Sequence, residues 1–229
     1  MIYAVSDLHG YNIEKFLELL AKAEFSDSDR LYIIGDVIDR GTDGVKLLKW
    51  AMEQYNVSLI MGNHEDMMLS CSFLFEDDNP DIYSGSNFMR YKNWIVNGGQ
   101  FTIYALESES SGSIKYILRY VEEAPLYETV EAGGRKFILT HGGFSGFDRN
   151  KPLSDYSKHD LLWSRPSLED RYFDDAVTVL GHTPTANYGS MYEGKILKTD
   201  TWINIDVGAA WGYPPALLRL DDLKEFYLE

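Results

Sequence analysis

A chain of 229 residues that is 45% hydrophobic can build a substantial core, as one large α/β domain or two small ones, and is too apolar to be disordered. Its 36 acidic against 21 basic residues give a formal charge of −15, so there is no basic footprint for a nucleic-acid backbone, and any phosphate must be attracted locally by metals or placed arginines. A single cysteine, Cys71, excludes an internal disulfide or CxxC motif; with no leader pattern and no apolar span of about 20 residues, a cytoplasmic protein with no membrane partner is expected.

Ile2 to Val5 predicts a strand, followed by the loop Ser6-Asp7-Leu8-His9-Gly10 and by apolar residues at Ile13, Phe16, Leu17 and Leu20, which is helical spacing. After a polar turn, Leu31-Tyr32-Ile33-Ile34 is too short for a helix and ends at Gly35, which predicts a buried parallel strand. Asp36, Asp39 and Arg40 fall just past its end, where open α/β sheets bind ligands, although Asp and Gly are also ordinary turn residues. Val45, Leu48, Met52 and Tyr55 continue at helical intervals. Val57 to Met61 predicts a third strand, whose end carries Gly62, Asn63, His64, Glu65 and Asp66 before a helix through Met67, Met68, Cys71 and Leu74. Cys71 lies on the apolar side of that helix and reads as a core residue; Asn56-Val57-Ser58 reads as a chance sequon. Strand, loop and helix have then alternated three times, which implies parallel strands with crossover helices.

From Glu76 to about Val130 the pattern loosens. An acidic run to Asp81 and turn residues to Gly85 precede Phe88, Tyr91, Trp94 and Ile95, aromatic and apolar residues at helical spacing that are expected in a core rather than lining a cleft. The serine-rich stretch Glu107 to Ser113 is expected to be an exposed loop. These features predict a mainly helical insertion at about 76–126 within one domain spanning 1–229. Tyr127 to Val130 and Arg135 to Leu139 predict a hairpin delivering Thr140, His141, Gly142 and Gly143. Ala176 to Leu180 delivers Gly181, His182, Thr183 and Pro184, short strands around Ile196, Ile203 to Val207 and Ala216 to Leu220 close the chain, and the second half is expected to be a mostly antiparallel or mixed sheet packed on the first.

Four of the five histidines, His9, His64, His141 and His182, stand at the ends of apolar strand candidates, and His159 does not. One such histidine is most simply a loop residue. Four of them, joined by Asp7, Asp36, Asp39 and Asn63, converge on one sheet rim. Mixed imidazole, carboxylate and amide donors suit manganese, iron or zinc. Six good donors exceed a four-coordinate zinc site and suit two ions bridged by one aspartate, with Asp36 the best bridge because its strand is expected to be central.

The segments SDLHG at 6–10, GDVIDRG at 35–41, GNHE at 62–65, HGG at 141–143 and GHT at 181–183 together resemble the motif series of the phosphoprotein phosphatase family of metallophosphoesterases. The likeness runs over residues 1 to about 210, and with LLWSRP at 161–166 the chain is most similar to the small bacterial and bacteriophage members. The resemblance implies an α/β fold, a four-layer α-β-β-α sandwich of two mixed sheets flanked by helices. It implies two divalent metal ions, manganese first, with Asp7, His9 and Asp36 holding one and Asp36, Asn63, His141 and His182 the other. It further implies that His64 is the general acid, oriented by Asp39, and that Arg40 and Arg165 hold phosphoryl oxygens; for each arginine the plainer reading is a surface salt bridge.

Two cations lower the pKa of a shared water toward neutrality and offset phosphoryl charge during in-line attack, and a placed imidazolium protonates the poor leaving group. The implied activity is a metal-dependent phosphomonoesterase acting on phosphoserine or phosphothreonine in proteins. GHTPT at 181–185 is also similar to relatives that hydrolyse dinucleoside polyphosphates such as diadenosine tetraphosphate, which keeps that alternative open. A non-catalytic metal-binding interaction module is the third reading, against which the His64 and Asp39 pair argues. The expected partner is a phosphorylated protein or small phosphorylated substrate. Two departures stand out: Ser6 replaces the family's usual Gly, and Met61 replaces its usual Arg, which removes a third phosphate-facing cation.

Overall fold

The computed structural model describes residues 1–76 and 84–228, so the acidic run and turn expected over 77–83 lie outside the described residues. Strands β1 (Ile2–Val5), β2 (Arg30–Ile34) and β3 (Val57–Ile60) alternate with helices α1 (Ile13–Lys22), α2 (Gly44–Glu53) and α3 (Asn63–Ser70). β2 pairs in parallel with both other strands. The near-continuous apolar runs are explained by burial on both faces: Tyr3, Val5, Leu31, Ile33, Val57 and Leu59 meet the helices, while Ala4, Ile34 and Ile60 face the second sheet.

Helices α4 (Gly85–Val96), α5 (Gln100–Glu107) and α6 (Ser111–Glu122) follow. Trp94 is fully buried, whereas Phe88 is exposed, so the expected aromatic core is only partly made by this segment. The stretch expected as a loop over Glu107 to Ser113 is exposed but mostly helical. The Ser110 side chain accepts from the Ser113 backbone N–H and caps α6, so the serine cluster marks a helix start and only 108–110 is irregular.

The hairpin β4 (Tyr127–Ala132) and β5 (Arg135–Thr140) opens the second sheet, followed by α7 (Lys158–Leu162), β6 (Val177–Leu180), β7 (Leu197–Lys198) and β8 (Trp202–Asn204). β9 (Leu217–Arg219) and β10 (Lys224–Phe226) then cross back to the first sheet. The strand orders are β10-β9-β1-β2-β3 and β4-β5-β6-β8-β7. The last strands therefore belong to the first sheet, and β1 rather than β2 is central, because β9 occupies the free side of β1. The strand expected over 203–207 ends at Asn204, and its remainder is the loop carrying Asp206.

Ala4, Ile34 and Ile60 meet Phe137, Leu139, Val179 and Leu218 between the sheets. Leu161 of α7 packs with Ile138, Leu180 and Trp202 on the outer face of the second sheet. The result is helix layer, sheet, sheet, helix layer, with each fully buried aliphatic side chain contributing roughly 1.5–3 kcal/mol. β5, β6 and β8 run parallel, and the loops at their carboxyl ends meet those of β1, β2 and β3 at one rim. Among the described residues no helix is long and apolar enough to cross a membrane.

Candidate active site

Of the eight non-glycine residues with positive φ among those described, six are Asp7, His9, Asp36, Asp39, Arg40 and His182, at φ 44–69°. Such conformations cost roughly 1–3 kcal/mol each and persist only where the surroundings over-determine them. Here the β1 loop is laced to the β2 loop by Asp7 N–H to Gly35 O (3.1 Å), His9 N–H to Asp36 O (2.8 Å) and Gly10 N–H to Val37 O (2.7 Å). Glu65, to which the sequence reading gave no role, is the pin: its carboxylate accepts from the backbone N–H of Asp36 (2.7 Å), Val37 (2.9 Å), Ile38 (3.4 Å) and Gly62 (3.0 Å). Burial pushes its pKa up to about 7 while these donors favour the anion. A Cβ at Gly181 would overlap Ser6 Oγ and Asp7 Oδ2, so only glycine lets the β6 loop approach the β1 loop this closely.

Three of the predicted histidines surround one carboxylate oxygen. Asp36 Oδ2 lies 3.3 Å from His141 Nε2, 3.7 Å from His9 Nε2 and 3.8 Å from His64 Nε2. Asp7 Oδ1 is 3.7 Å from His9 Nε2, and Asn63 Oδ1 is 2.9 Å from His141 Nε2. The donor atoms of His9, Asp36 and His64 lie within 4.8 Å of one another, as do those of Asp36, His141 and His182. Among the described residues, Asp7 Oδ1 and His182 Nε2 are buried without a hydrogen-bond partner. An orphan of this kind costs about 1–3 kcal/mol unless something else satisfies it. Two cations flanking Asp36 would satisfy both, so the residues present fit a metal pair.

The electrostatics agree. Burial pushes the pKa of His9 down to about 3 and that of His182 to about 2, leaving neutral rings. Burial opposes the charge on His141, but Asp36 and Asp7 outweigh it and push its pKa up to about 10. Burial also opposes ionisation of Asp36, yet His141, His64 and His9 hold it well below the ordinary carboxylate range. The protons held here occupy a place where a cation would compete with them. Asp206, outside the five motifs, has its pKa raised by burial and by Asp7. Its signal was available, because it too follows an apolar strand run.

His64 Nδ1 donates to Asp39 Oδ2 at 2.6 Å, which turns Nε2 toward Asp36. Burial works against the imidazolium, but Asp36 and Asp39 outweigh it and raise the pKa of His64. Asp39 is in turn gripped by the helical insertion. Trp94 Nε1 donates to Asp39 Oδ2 at 2.8 Å, the Thr102 hydroxyl donates to Oδ1, and Thr102 Oγ1 accepts from the Asp39 backbone N–H at 3.0 Å. Neither Trp94 nor Thr102 was legible as a site residue, because both lie over 50 positions from Asp39.

Arg40 Nη1 lies 3.2 Å from His9 Nε2 and its Nη2 3.0 Å from His64 Nε2. Arg165 Nη1 donates to His182 O (3.1 Å) and Thr183 Oγ1 (2.9 Å). Among the described residues neither pairs with a carboxylate, and both line one cleft of about 670 Å³. Met61 is buried in the helix-facing core and does not reach the site.

A two-sheet sandwich that gathers imidazoles and carboxylates around one shared aspartate at its rim defines the metallophosphoesterase class. The chain belongs to the calcineurin-like phosphoesterase family, whose sequence profile matches residues 1–208, and it is a hydrolase that uses divalent metal ions. It is 30% identical over 171 residues to serine/threonine-protein phosphatase 2 of Salmonella typhimurium, covering 73% of this chain and 69% of that one. It is 29% identical to the symmetrical bis(5'-nucleosyl)-tetraphosphatase of Chromobacterium violaceum, covering 99% and 94%. Its fold is similar to the crystal structure of a putative diadenosine tetraphosphatase, with a TM-score of 0.67, 13% identity and coverage of 99% and 92%.

Proposed function

We propose that this protein hydrolyses phosphate monoesters, with phosphoserine and phosphothreonine of proteins as the first substrate class, at a pair of manganese ions. Asp7, His9 and Asp36 would hold one ion and Asp36, Asn63, His141 and His182 the other. The observation that supports this most is that Asp36 stands in two groups of imidazoles, His9 and His64 on one side and His141 and His182 on the other. When bound, the ions supply an activated water and offset phosphoryl charge. Arg40 and Arg165 orient the phosphoryl oxygens, their planar forks matching phosphate geometry. His64 gives the proton on Nε2 to the leaving oxygen, and Asp39 holds the ring and favours its charged form. The chain is read as one domain, 1–229, in which the helical insertion clamps Asp39. Buried, unpaired Cys71 fits a reducing cytoplasm.

Hydrolysis of dinucleoside polyphosphates is the second reading. It is favoured by a cleft with arginines on separate walls, which suits a chain of phosphates, and by a tetraphosphatase relative that aligns along nearly the whole chain. Purified protein loaded with manganese, given a phosphoserine peptide and diadenosine tetraphosphate in parallel, tests both. Phosphate release from the peptide supports the first reading, and nucleotide products alone support the second. Turnover of neither would remove the mechanism.

A further inference from the structure

The cleft above the metal-ligand residues has two walls of different origin. Arg40, Gly98 and Phe101 come from the β2 loop and the helical insertion, while Arg165, His182, Pro184 and Trp211 come from the second sheet's loops. Trp211 is 53% exposed. A single exposed apolar residue is ordinary, but this one is held in place. It ends a short turn, Ala209–Trp211, bounded by Gly208 and Gly212, both left-handed at φ 94° and 95°. The turn closes through Trp211 N–H to Gly208 O (2.8 Å), and Gly208 N–H donates to Asp206 Oδ1 (3.0 Å). Asp206 O accepts from Thr185 N–H (2.9 Å), and Asn204 Nδ2 donates to Thr183 O (2.7 Å). A continuous set of hydrogen bonds thus ties the indole's position to the loop that carries His182.

A solvent-facing indole on a braced backbone turn, in the same cleft as two arginines, offers a flat face beside cations. We infer that Trp211 is a specificity-determining residue, on which the base of a nucleoside polyphosphate stacks while its phosphates lie between Arg40 and Arg165. The inference rests on the hydrolytic reading above and selects its nucleotide branch. None of the lining residues belongs to a strand, so the cleft offers no sheet edge with which an extended backbone could pair. Stacking, in contrast, needs only an exposed ring, and it binds any base.

The test compares kcat/KM for diadenosine tetraphosphate with kcat/KM for a phosphoserine peptide free of aromatic residues, in wild type, W211A and W211F, all manganese-loaded. Loss of one stacked base predicts that the nucleotide-to-peptide ratio falls about tenfold in W211A, through KM more than kcat. W211F restores most of it, and the inhibition constant of adenosine 5'-diphosphate rises in parallel in W211A. An unchanged ratio in W211A would overturn the inference, as would a wild type that dephosphorylates the peptide and leaves the nucleotide intact. Turnover of neither substrate would remove the hydrolytic reading and the inference with it.

Discussion

The carboxyl edge of the first sheet and that of the second present similar loops at the rim, yet they are stabilised differently. The first carries Asp7, Asp36 and Asp39 and is braced from within, by backbone bonds between the β1 and β2 loops and by the four N–H groups gathered on Glu65. The second contributes imidazoles, and it takes its geometry from the first: His141 Nδ1 lies 3.0 Å from Ile34 O, and the His182 N–H donates to Asp7 Oδ2 at 2.9 Å. The anionic edge thus fixes where the imidazoles settle. The negative charge is concentrated in the first edge, His141 of the second helps to hold Asp36 ionised, and the donor set is complete only when the sheets pack.

The largest effect is expected from removing what the two edges share. Asp36→Ala should reduce bound metal from two ions to one or fewer and cut turnover by more than the ~10²–10⁴-fold attributable to a general acid alone. Mass spectrometric metal counts read this directly. Exhaustive chelation of the wild type should abolish activity and manganese should restore it; activity that survives chelation would exclude the metal pair. Next comes His64→Asn, expected to lower kcat by ~10²–10⁴-fold while metal content stays at the wild-type level.

Breaking the internal brace separates the edges further. Glu65→Gln sets an amide NH₂ against two backbone N–H groups, at about 1–3 kcal/mol for each orphaned donor, and should weaken metal affinity ~10–100-fold as displaced supporting contacts do. Urea midpoints and metal titrations measure the two parts. The smallest effect is a shift in pH profile. Asp39 raises the pKa of His64, so Asp39→Asn removes an anion that stabilises the imidazolium, the pKa falls, and the alkaline limb of kcat should move to lower pH. A limb that stays in place would assign the proton to another group.

Much of this was readable along the chain. The runs at 2–5, 31–34 and 57–60 are strands because each is apolar on both faces and bounded by loop residues, and the α/β sandwich and its loop chemistry followed. The five motifs also contain the three histidines, His9, His64 and His141, that surround Asp36 Oδ2. Glu65 stood inside one of those motifs without a role, because its partners are backbone groups that carry no side-chain signature. Trp94 was readable as buried but not as a donor to Asp39. The serine cluster after Glu107 read as a loop because the same residues favour turns and helix caps.

What the sequence by itself determined was the order of strands and helices, the glycine-flanked loops and the chemical types placed on them, since these depend on side-chain periodicity and on neighbours a few positions apart. Only the tertiary structure decided that β1 is central, that the final strands return to the first sheet, that the insertion grips Asp39 and that Trp211 overlooks the cleft. Each of these is a pairing between distant segments, set by which surfaces bury one another when the two sheets close.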